Sequence, residues 1–255
     1  MRSTVVTGIL ILCLIFGSTM TVFGANGRMV VVVDRNYPPY SYGTVKKAEG
    51  LYTRLIEGVF GRMGMKVEVR ALPWKQALRE GGEGRAAVGG IYKNTARLKI
   101  YDYSEPLFEE RLAVYVKKGR TFHFSRLADL QGKIIGLNSD WSYGDKFDSA
   151  RKKYHFTAEE AASNLENFRK LVAGKIDCLV ADQVAASRII RQENLSDKVQ
   201  KLDKPAAVND VYLAFAKRLG EKNLLERFNR TLEAMKKDGS YRRLFRDFIA
   251  GSPER

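Results

Sequence analysis

A small set of aromatic and charged residues carries most of the chemistry that this sequence offers. Tyr37 and Tyr40 flank the pair Pro38-Pro39 in a stretch that begins at Asp34, directly after an apolar run. The prolines stiffen a turn and so present both rings. Trp74 follows another apolar run in the same way. Aromatic faces held at the rim of a cleft can enclose a flat or aliphatic ligand, and core packing is the competing explanation for each ring.

The residue sets typical of enzymes are missing from the sequence. It contains no phosphate-binding glycine loop, no His-Glu-x-x-His zinc motif and no Gly-x-Ser-x-Gly nucleophile turn. Its two histidines, His123 and His155, each stand beside a phenylalanine without a nearby pair of carboxylates. We therefore expect no catalytic residues, no metal site and no cofactor, and the sequence favours a protein that binds a molecule rather than converting it.

Residues 1–24 have the pattern of a secretory signal peptide. A basic residue near the start precedes the apolar run 5–16, and small residues lead up to Ala25. The run is short for a membrane span, which needs about 20 residues. We therefore expect a soluble mature protein in the periplasm. Cys178, in an apolar run, is then the only cysteine of the mature chain, which predicts a buried, unreactive thiol.

The charge of the chain argues against a nucleic-acid partner. The 255 residues include 44 basic and 29 acidic side chains, a formal net charge of +15, and the surplus is spread along the whole chain. The longest basic block is Arg151-Lys152-Lys153. A nucleic-acid-binding protein more often concentrates its basic residues on one element. The pattern favours a solvated basic surface. We expect the protein to be a monomer.

An alternation of short apolar runs and amphipathic segments extends from residue 29 to residue 250. It predicts the strands and helices that position the aromatic and charged candidate residues. Strands are predicted at residues 29–33, 67–72, 86–91, 112–116, 133–137, 176–181 and 211–216. Helices are predicted at residues 51–63, from about Ser142, after a capping box that opens at Ser163, and at residues 223–237. This β-α-β rhythm predicts a mostly parallel sheet flanked by helices.

The rhythm restarts midway along the chain without a Ser-, Gly- or Pro-rich linker. We therefore predict two lobes that are joined by strands passing between them, near residues 111–116 and 207–213. The first lobe comprises residues 25–111 and 211–255, and the second comprises residues 112–210. Two lobes joined in this way leave a cleft, where small ligands usually bind.

Five groups of short motifs connect the chain to a known family. In order, they are Asp34-x-x-Tyr37-Pro38-Pro39-Tyr40, Thr95-Ala96-Arg97 with Tyr101-Asp102-Tyr103-Ser104-Glu105-Pro106, Asp129-Leu130-Gln131-Gly132-Lys133, Ala173-Gly174-Lys175-Ile176-Asp177 with Val180-Ala181-Asp182, and Lys236-Lys237-Asp238-Gly239-Ser240-Tyr241. Over about residues 29–248 the chain resembles the bacterial extracellular solute-binding proteins of family 3, the periplasmic receptors of polar amino-acid ABC importers. The resemblance implies an α/β, two-lobed type II periplasmic-binding-protein fold.

The resemblance also assigns roles to individual residues. Arg97 is expected to grip the α-carboxylate of the ligand, a task that suits the planar fork of a guanidinium group. Asp182, from the other lobe, is expected to hold the α-ammonium group. Tyr37 is expected to stack on the ligand, and Asp34 to contact its side chain. The competing explanations are a surface ion pair for Arg97 and a helix N-cap for Asp182.

Two departures from the family pattern bear on the ligand. Ser139-Asp140-Trp141-Ser142 stands where the family commonly has a Gly-Thr or Gly-Ser step, and Asp140 would repel a carboxylate there unless it caps the helix. Asn94 stands where the family usually has threonine. Trp74 and Trp141 could instead enclose a larger, flatter or cationic ligand. The predicted ligand-binding set is Asp34, Tyr37, Tyr40, Trp74, Tyr92, Asn94, Arg97, Trp141, Ser142 and Asp182.

The leading functional hypothesis is a periplasmic solute-binding protein. It would capture a small polar solute, an amino acid or a derivative, by closing its lobes and would deliver it to a membrane ABC permease. One alternative is an exported dehydratase acting on prephenate or arogenate, with Asp140 or Asp182 as general acid. Another is a receptor that presents its closed form to a membrane sensor. Formation of a product from prephenate or arogenate would identify the dehydratase. A membrane sensor as the partner, instead of a permease, would identify the receptor.

Overall fold

The computed structural model describes residues 28–250 of the chain, so the predicted signal peptide at residues 1–24 lies outside the described residues. The strands are β1 (Met29–Asp34), β2 (Asn36–Tyr37), β3 (Ser41–Gly43), β4 (Ala48–Glu49), β5 (Val67–Leu72), β6 (Ala87–Tyr92), β7 (Tyr101–Tyr103), β8 (Phe108–Lys117), β9 (Ile134–Asn138), β10 (Thr157–Ala161), β11 (Cys178–Asp182) and β12 (Val199–Ala216). The helices are α1 (Leu51–Arg62), α2 (Trp74–Gly82), α3 (Asp145–Lys153), α4 (Asn164–Val172), α5 (Gln183–Gln192), α6 (Lys222–Lys237) and α7 (Ser240–Ala250).

The main sheet consists of two parallel groups of strands joined by an antiparallel pair. Its order is β10-β9-β11-β8-β12-β6-β1-β5, with β7 paired to β12. β1 runs parallel to β5 and β6, and β9 runs parallel to β10 and β11. β8 and β12 are antiparallel to each other and connect the two groups. The predicted α/β fold with two lobes is confirmed, while the exact lobe boundaries stay a prediction.

Helices cover both faces of the first parallel group, which explains its continuous apolar strands. All six residues of β1 are buried. Val31 and Val33 belong to a cluster with residues of α1 and α6, whereas Val30 and Val32 pack on the other face with Ala77 of α2. A strand buried on both faces needs apolar side chains at every position rather than at alternate ones.

β12 is much longer than its predicted extent at residues 211–216. It begins at Val199, and most of its first twelve residues are exposed or half-buried, whereas its last six are buried. The register against β8 shifts on both sides of Pro205, which cannot donate a ladder hydrogen bond. The polar first part of the strand therefore carried no apolar signal. It pairs mainly through its backbone along β8.

Two local predictions, the N-cap at Ser163 and the buried Cys178, are confirmed. Ser163 caps α4, since its side chain accepts a hydrogen bond from the backbone of Glu166. Cys178 is fully buried, and burial raises the pKa of its thiol to about 12. None of the helices within residues 28–250 has the length and apolar composition needed to cross a bilayer. No cluster of potential metal-ligating side chains occurs in this described part of the chain.

Candidate ligand-binding site

A cavity of about 320 Å³, a volume that includes space open to solvent, lies where several strands of the main sheet end. Its lining residues are Asp34, Tyr37, Trp74, Gly90, Tyr92, Arg97, Trp141 and Ser142. Asp34 and Tyr92 are the last residues of β1 and β6, and Trp74 follows β5 within two residues. Trp141 comes from the loop after β9. Ligands of open α/β sheets bind outside the carboxyl ends of the strands, and this cavity has that position.

Seven of the ten predicted binding residues line the cavity, and their ligand contacts stay predictions. Tyr40, Asn94 and Asp182 do not line it. Gly90 lines it without having been predicted. Its φ of +77° and the 2.6 Å between an added Cβ and the ring of Tyr52 explain why glycine is required there. The signal in the sequence is a pair of glycines inside an otherwise apolar strand.

Arg97 supplies a buried positive charge at the cavity. Its side chain is not at the surface, since the residue is only 9% exposed, and no ion pair involves it among residues 28–250. Nη1 donates to the carbonyl oxygen of Tyr92 at 3.2 Å, and the guanidinium carbon lies 5.6 Å from the ring of Trp74. Burial lowers the pKa of Arg97, yet a guanidinium group stays protonated in proteins.

Asn94 supports Arg97 from behind rather than lining the cavity. Its Oδ1 accepts a hydrogen bond of 2.8 Å from the backbone nitrogen of Arg97, at the start of a short 3-10 turn (Arg97–Lys99). This contact fixes the backbone from which the guanidinium extends. Asn94 is therefore a positioning residue in this structure.

Asp34 supplies the cavity's carboxylate. Oδ1 accepts a hydrogen bond of 2.9 Å from the backbone nitrogen of Asn36, and Oδ2 accepts one of 3.0 Å from the indole Nε1 of Trp141. Burial raises the pKa of Asp34 to about 6, so the carboxylate is mostly ionised at pH 7. A carboxylate has about four acceptor sites, of which these two donors fill two.

Trp141 brings the two sides of the cavity together. Its ring meets the ring of Tyr37 edge to face, with 4.5 Å between the centroids. Nearby, Asp145 at the start of α3 accepts hydrogen bonds from the backbone nitrogen and the hydroxyl of Thr95, at 2.9 to 3.1 Å. The loops that follow β6 and β9 thus touch directly next to the cavity.

The loop that carries Trp141 is ordered by an acid further along the chain. Ser142 Oγ donates to Asp148 at 2.5 Å, and the backbone nitrogen of Tyr143 donates to the same carboxylate at 3.0 Å. Because these bonds hold residues 142–144 in a loop, α3 begins at Asp145 rather than near Ser142 as predicted. Asp140 does not cap this helix, since Gly144 is the N-cap residue, and its side chain is exposed and outside the cavity lining.

Glu110 lies behind the cavity wall and was missed in the sequence. The hydroxyls of Tyr37 and Tyr92 both donate to its Oε2, the former at 2.6 Å. Glu110 is 1% exposed, and burial together with the nearby Asp182 raises its pKa well above the usual range. Strand alternation was the available signal, because Glu110 shares the inward face of β8 with the apolar residues 112, 114 and 116.

Asp182 is placed as a helix N-cap. It ends β11, and its Oδ1 accepts hydrogen bonds from the backbone nitrogens of Val184 and Ala185 at 2.8 and 3.0 Å. The same oxygen accepts the hydroxyl of Tyr40 at 2.7 Å, and Oδ2 accepts the backbone nitrogen of Arg111 at 3.2 Å. Asp182 is 2% exposed. Tyr40 and Asp182 thus contact each other, and neither lines the cavity.

Comparisons with known proteins agree on one family. The family model described as "Bacterial extracellular solute-binding proteins, family 3" matches residues 29–251. An "Arginine-binding periplasmic protein" of Mannheimia haemolytica is 24% identical over 94% of this chain and 98% of its own length. The structure of a histidine kinase sensor domain with similarity to periplasmic binding proteins matches with a TM-score of 0.76 and 25% identity, over 87% of this chain and 96% of that one. An ancestral arginine-binding protein bound to arginine matches with a TM-score of 0.73 and 26% identity, over 86% and 96%.

Proposed function

Because this chain belongs to the bacterial extracellular solute-binding proteins of family 3, we propose that it captures a polar amino acid or a close derivative and delivers it to an ABC permease. The observation that carries the proposal is Arg97, a buried guanidinium at the cavity that forms no ion pair within residues 28–250. A buried charge without a partner is costly, and a ligand carboxylate would remove that cost.

The cavity offers a distinct group for each part of such a ligand. Arg97 presents two parallel N–H donors to a carboxylate, which fixes both its position and its orientation. The rings of Tyr37, Trp74 and Trp141 line the cavity and would cover the aliphatic part. Asp34 has free acceptor sites for a cationic or hydrogen-bond-donating end group. Arginine has this combination of groups. It is the ligand in the name of the relative from Mannheimia haemolytica, and it is bound in the ancestral structure.

Closure follows from which elements supply these groups. Asp34 and Arg97 follow strands β1 and β6, whereas Trp141 and Asp145 follow strand β9. A ligand that contacts both sides stabilises the closed arrangement over the open one by its difference in affinity for the two. The closed form would then be the one that the permease recognises.

Localisation and partners follow the family. Its members act in the periplasm or outside the cell, and we propose export of this protein through the predicted signal peptide at residues 1–24. A monomeric state, the absence of a nucleic-acid partner and the absence of enzymatic activity stay predictions. Neither Asp140 nor Asp182 lines the cavity, which supports the prediction that the protein does not dehydrate prephenate or arogenate. Incubation with prephenate and arogenate, followed by chromatography of the products, tests this prediction.

Thermal unfolding of the exported protein tests the proposal. The protein is denatured and refolded to remove bound ligand, and then screened against the common amino acids, polyamines, dicarboxylates and prephenate-like acids. A ligand present at about 100 times its Kd should stabilise the fold by roughly 2.7 kcal/mol. For a chain of this size that raises Tm by about 5–10 °C.

Two arginine variants make the screen specific. Arg97→Ala should abolish the shift, because the carboxylate loses its partner. Arg85→Ala should retain it, because Arg85 is at the surface and pairs with Glu80 and Glu83 outside the cavity. No shift with any compound, or an equal shift in both variants, would contradict the proposal.

A sensory role is the second candidate, favoured by the similarity to a histidine kinase sensor domain. Both roles use the same cavity and differ in the partner of the closed form. Deletion of the gene should abolish uptake of the radiolabelled ligand if the partner is a permease. Intact uptake combined with a lost transcriptional response to the ligand would favour the sensor.

A further inference from the structure

Two tyrosines that line the cavity have their hydroxyl groups bound to a residue that does not line it. Tyr37 is the last residue of β2, and Tyr92 is the last residue of β6. Both hydroxyls donate to the same oxygen, Oε2 of Glu110, the Tyr37 hydroxyl at 2.6 Å. Glu110 is 1% exposed and lies outside the lining. The rings therefore form the surface of the cavity, while the hydroxyls are engaged inside its wall.

The two phenols are the only hydrogen-bond partners of the Glu110 side chain within residues 28–250. Its second oxygen, Oε1, is buried without a partner, and none of the ion pairs in this part of the chain includes Glu110. Burial of a carboxyl group is costly, and hydrogen bonds offset only part of that cost.

The neighbours of Glu110 on β8 show what packing alone requires at this place. Leu112, Val114 and Val116 share its inward face, and all three are apolar and buried. An apolar side chain of similar length would fill the position of Glu110 without the cost of a buried carboxyl group. What an apolar residue could not do is hold the two hydroxyls.

A ring whose hydroxyl is held keeps its place at the cavity. The ring of Tyr37 meets the ring of Trp141 edge to face, with 4.5 Å between the centroids. Trp141 is itself a lining residue. If Tyr37 lost its anchor, the surface formed by both rings would change. Glu110 thus acts on the lining through other side chains.

Resting on the proposed function, we propose that Glu110 is a positioning residue of the ligand site, which keeps the hydroxyls of Tyr37 and Tyr92 inside the wall so that the ligand meets the two rings. This part of the wall then recognises the hydrocarbon part of a ligand rather than a polar group. Oε2 can accept both bonds in either protonation state, because a protonated carboxyl group keeps acceptor capacity.

Isothermal titration calorimetry of Glu110 variants of the refolded, exported protein tests this proposal. The probe is L-arginine or, if L-arginine gives no Tm shift in the thermal screen, the amino acid that gives the largest shift. Glu110→Met should weaken binding by about 10-fold or more, because two buried hydroxyls lose their acceptor and turn toward the cavity. Glu110→Gln should recover most of this loss, since its amide oxygen can accept both bonds.

Removal of the two hydroxyls distinguishes positioning from general support of the fold. In a background that combines Tyr37→Phe with Tyr92→Phe, both rings remain and Glu110 has no hydroxyl to hold. Adding Glu110→Met to that background should therefore change the Kd of the same amino acid by less than about threefold. A residue that only supports the fold would have the same effect in both backgrounds, because independent contributions add.

The fluorescence of Trp141 gives a second readout that needs no ligand. In a Trp74→Phe background, Trp141 is the only tryptophan of the chain. Glu110→Met should change its emission, because the neighbouring ring of Tyr37 loses its anchor. Glu110→Gln should leave the emission close to that of the background protein.

The outcomes separate this inference from the proposed function. If an amino acid binds and Glu110→Met leaves its Kd unchanged, or raises it equally in both tyrosine backgrounds, the inference is wrong and the function stands. A loss in Glu110→Gln as large as that in Glu110→Met would also overturn the inference. If no amino acid of the screen binds, the function is overturned, and an unchanged Trp141 emission in Glu110→Met would then overturn the inference as well.

Glu110→Asp decides the point if Glu110→Met or the variant with two phenylalanines fails to fold. It keeps the carboxyl group but is one carbon shorter, so it cannot reach both hydroxyls. We expect it to weaken binding of the same amino acid by about 10-fold, and a Kd within about threefold of the unmodified protein would overturn the inference.

Discussion

Asp34 and Asp182 stand at equivalent points of two strands, yet they are available to a ligand to very different degrees. Each is the last residue of a strand that is buried along its whole length, β1 in one case and β11 in the other. After β11, helix α5 begins at once with Gln183, and its first backbone N–H groups bond to Asp182. After β1 the chain turns into β2, and α1 begins only at Leu51.

The difference shows that the segment after a strand decides what an acidic residue at its end can do. A helix N-terminus presents several N–H groups without partners inside the helix, and a nearby carboxylate satisfies them. A turn presents fewer such N–H groups to a carboxylate. Asp34 therefore keeps acceptor sites for a ligand, whereas Asp182 holds the start of α5 and the Tyr40 hydroxyl together. We therefore expect Asp34 to serve binding and Asp182 to serve stability.

The largest expected effect is on stability, at Asp182. Asp182→Ala leaves the Tyr40 hydroxyl and three backbone N–H groups without their acceptor, and should lower the free energy of unfolding by about 4 kcal/mol. Asp34→Ala is the matched control, and should lower it by no more than about 1 kcal/mol, because only two donors lose their partner and a buried charge is removed. Urea denaturation at pH 7 measures both. Equal losses would remove the distinction between the two residues.

The pH dependence of stability should show a slightly smaller effect at Asp34. Its pKa in the folded protein is about 6, above the ordinary value of 3.8, because burial disfavours the ionised form. Protonation of Asp34 therefore favours the folded protein. This contribution to stability is fully present below pH 3.8 and is lost as the pH rises through about 6. The loss amounts to about 3 kcal/mol at most.

Asp34→Asn isolates this contribution, since its side chain does not ionise. Relative to the unmodified protein, the variant should become more stable by up to about 3 kcal/mol between pH 4 and pH 7. The measurement is the free energy of unfolding from urea titrations across that range. A difference that stays constant with pH would mean that Asp34 has an ordinary pKa and is more exposed to water than the structure indicates.

The smallest expected effect on stability is at Tyr40, whose hydroxyl donates a hydrogen bond to Asp182. Tyr40→Phe removes one of four donors and should cost about 1.5 kcal/mol of unfolding free energy, typical for a hydrogen bond to a charged group. Tyr52→Phe is the matched control in the same ring stack, because the Tyr52 hydroxyl has no hydrogen-bond partner in the described part of the chain. It should change stability by less than about 0.5 kcal/mol. Two equal losses would show that the Tyr40 hydroxyl contributes nothing through Asp182.

The fold could be predicted from the sequence wherever burial is uniform. The apolar runs of β1 and β11 and the amphipathic pattern of α6 gave their positions to within a few residues, since helix α6 was expected at residues 223–237 and spans Lys222–Lys237. The small strands β2, β3 and β4 could not be recognised, because they lie in a turn-rich stretch and are only two or three residues long. Elements that are held by backbone pairing alone carry little side-chain signal.

The candidate site could be predicted in part for a related reason. Residues that follow strand ends share one edge of a parallel sheet, so Asp34, Trp74 and Arg97 were expected near one another without knowledge of their contacts. The contact between Tyr40 and Asp182 joins residues 142 positions apart and depends on how the two sides of the cleft meet. No local pattern records such a pairing. The competing explanation of Asp182 as an N-cap was available from the sequence, and it agrees with the structure.

Tryptophan fluorescence tests the central claim most directly, because both tryptophans of the chain, Trp74 and Trp141, line the cavity. The refolded protein is titrated with L-arginine and then with the other amino acids, and the emission is recorded. The account predicts a saturable change in emission with at least one amino acid and its loss in Arg97→Ala. An amino acid that binds in calorimetry without changing the emission, or that changes it equally in Arg97→Ala, would place the ligand elsewhere and contradict the account.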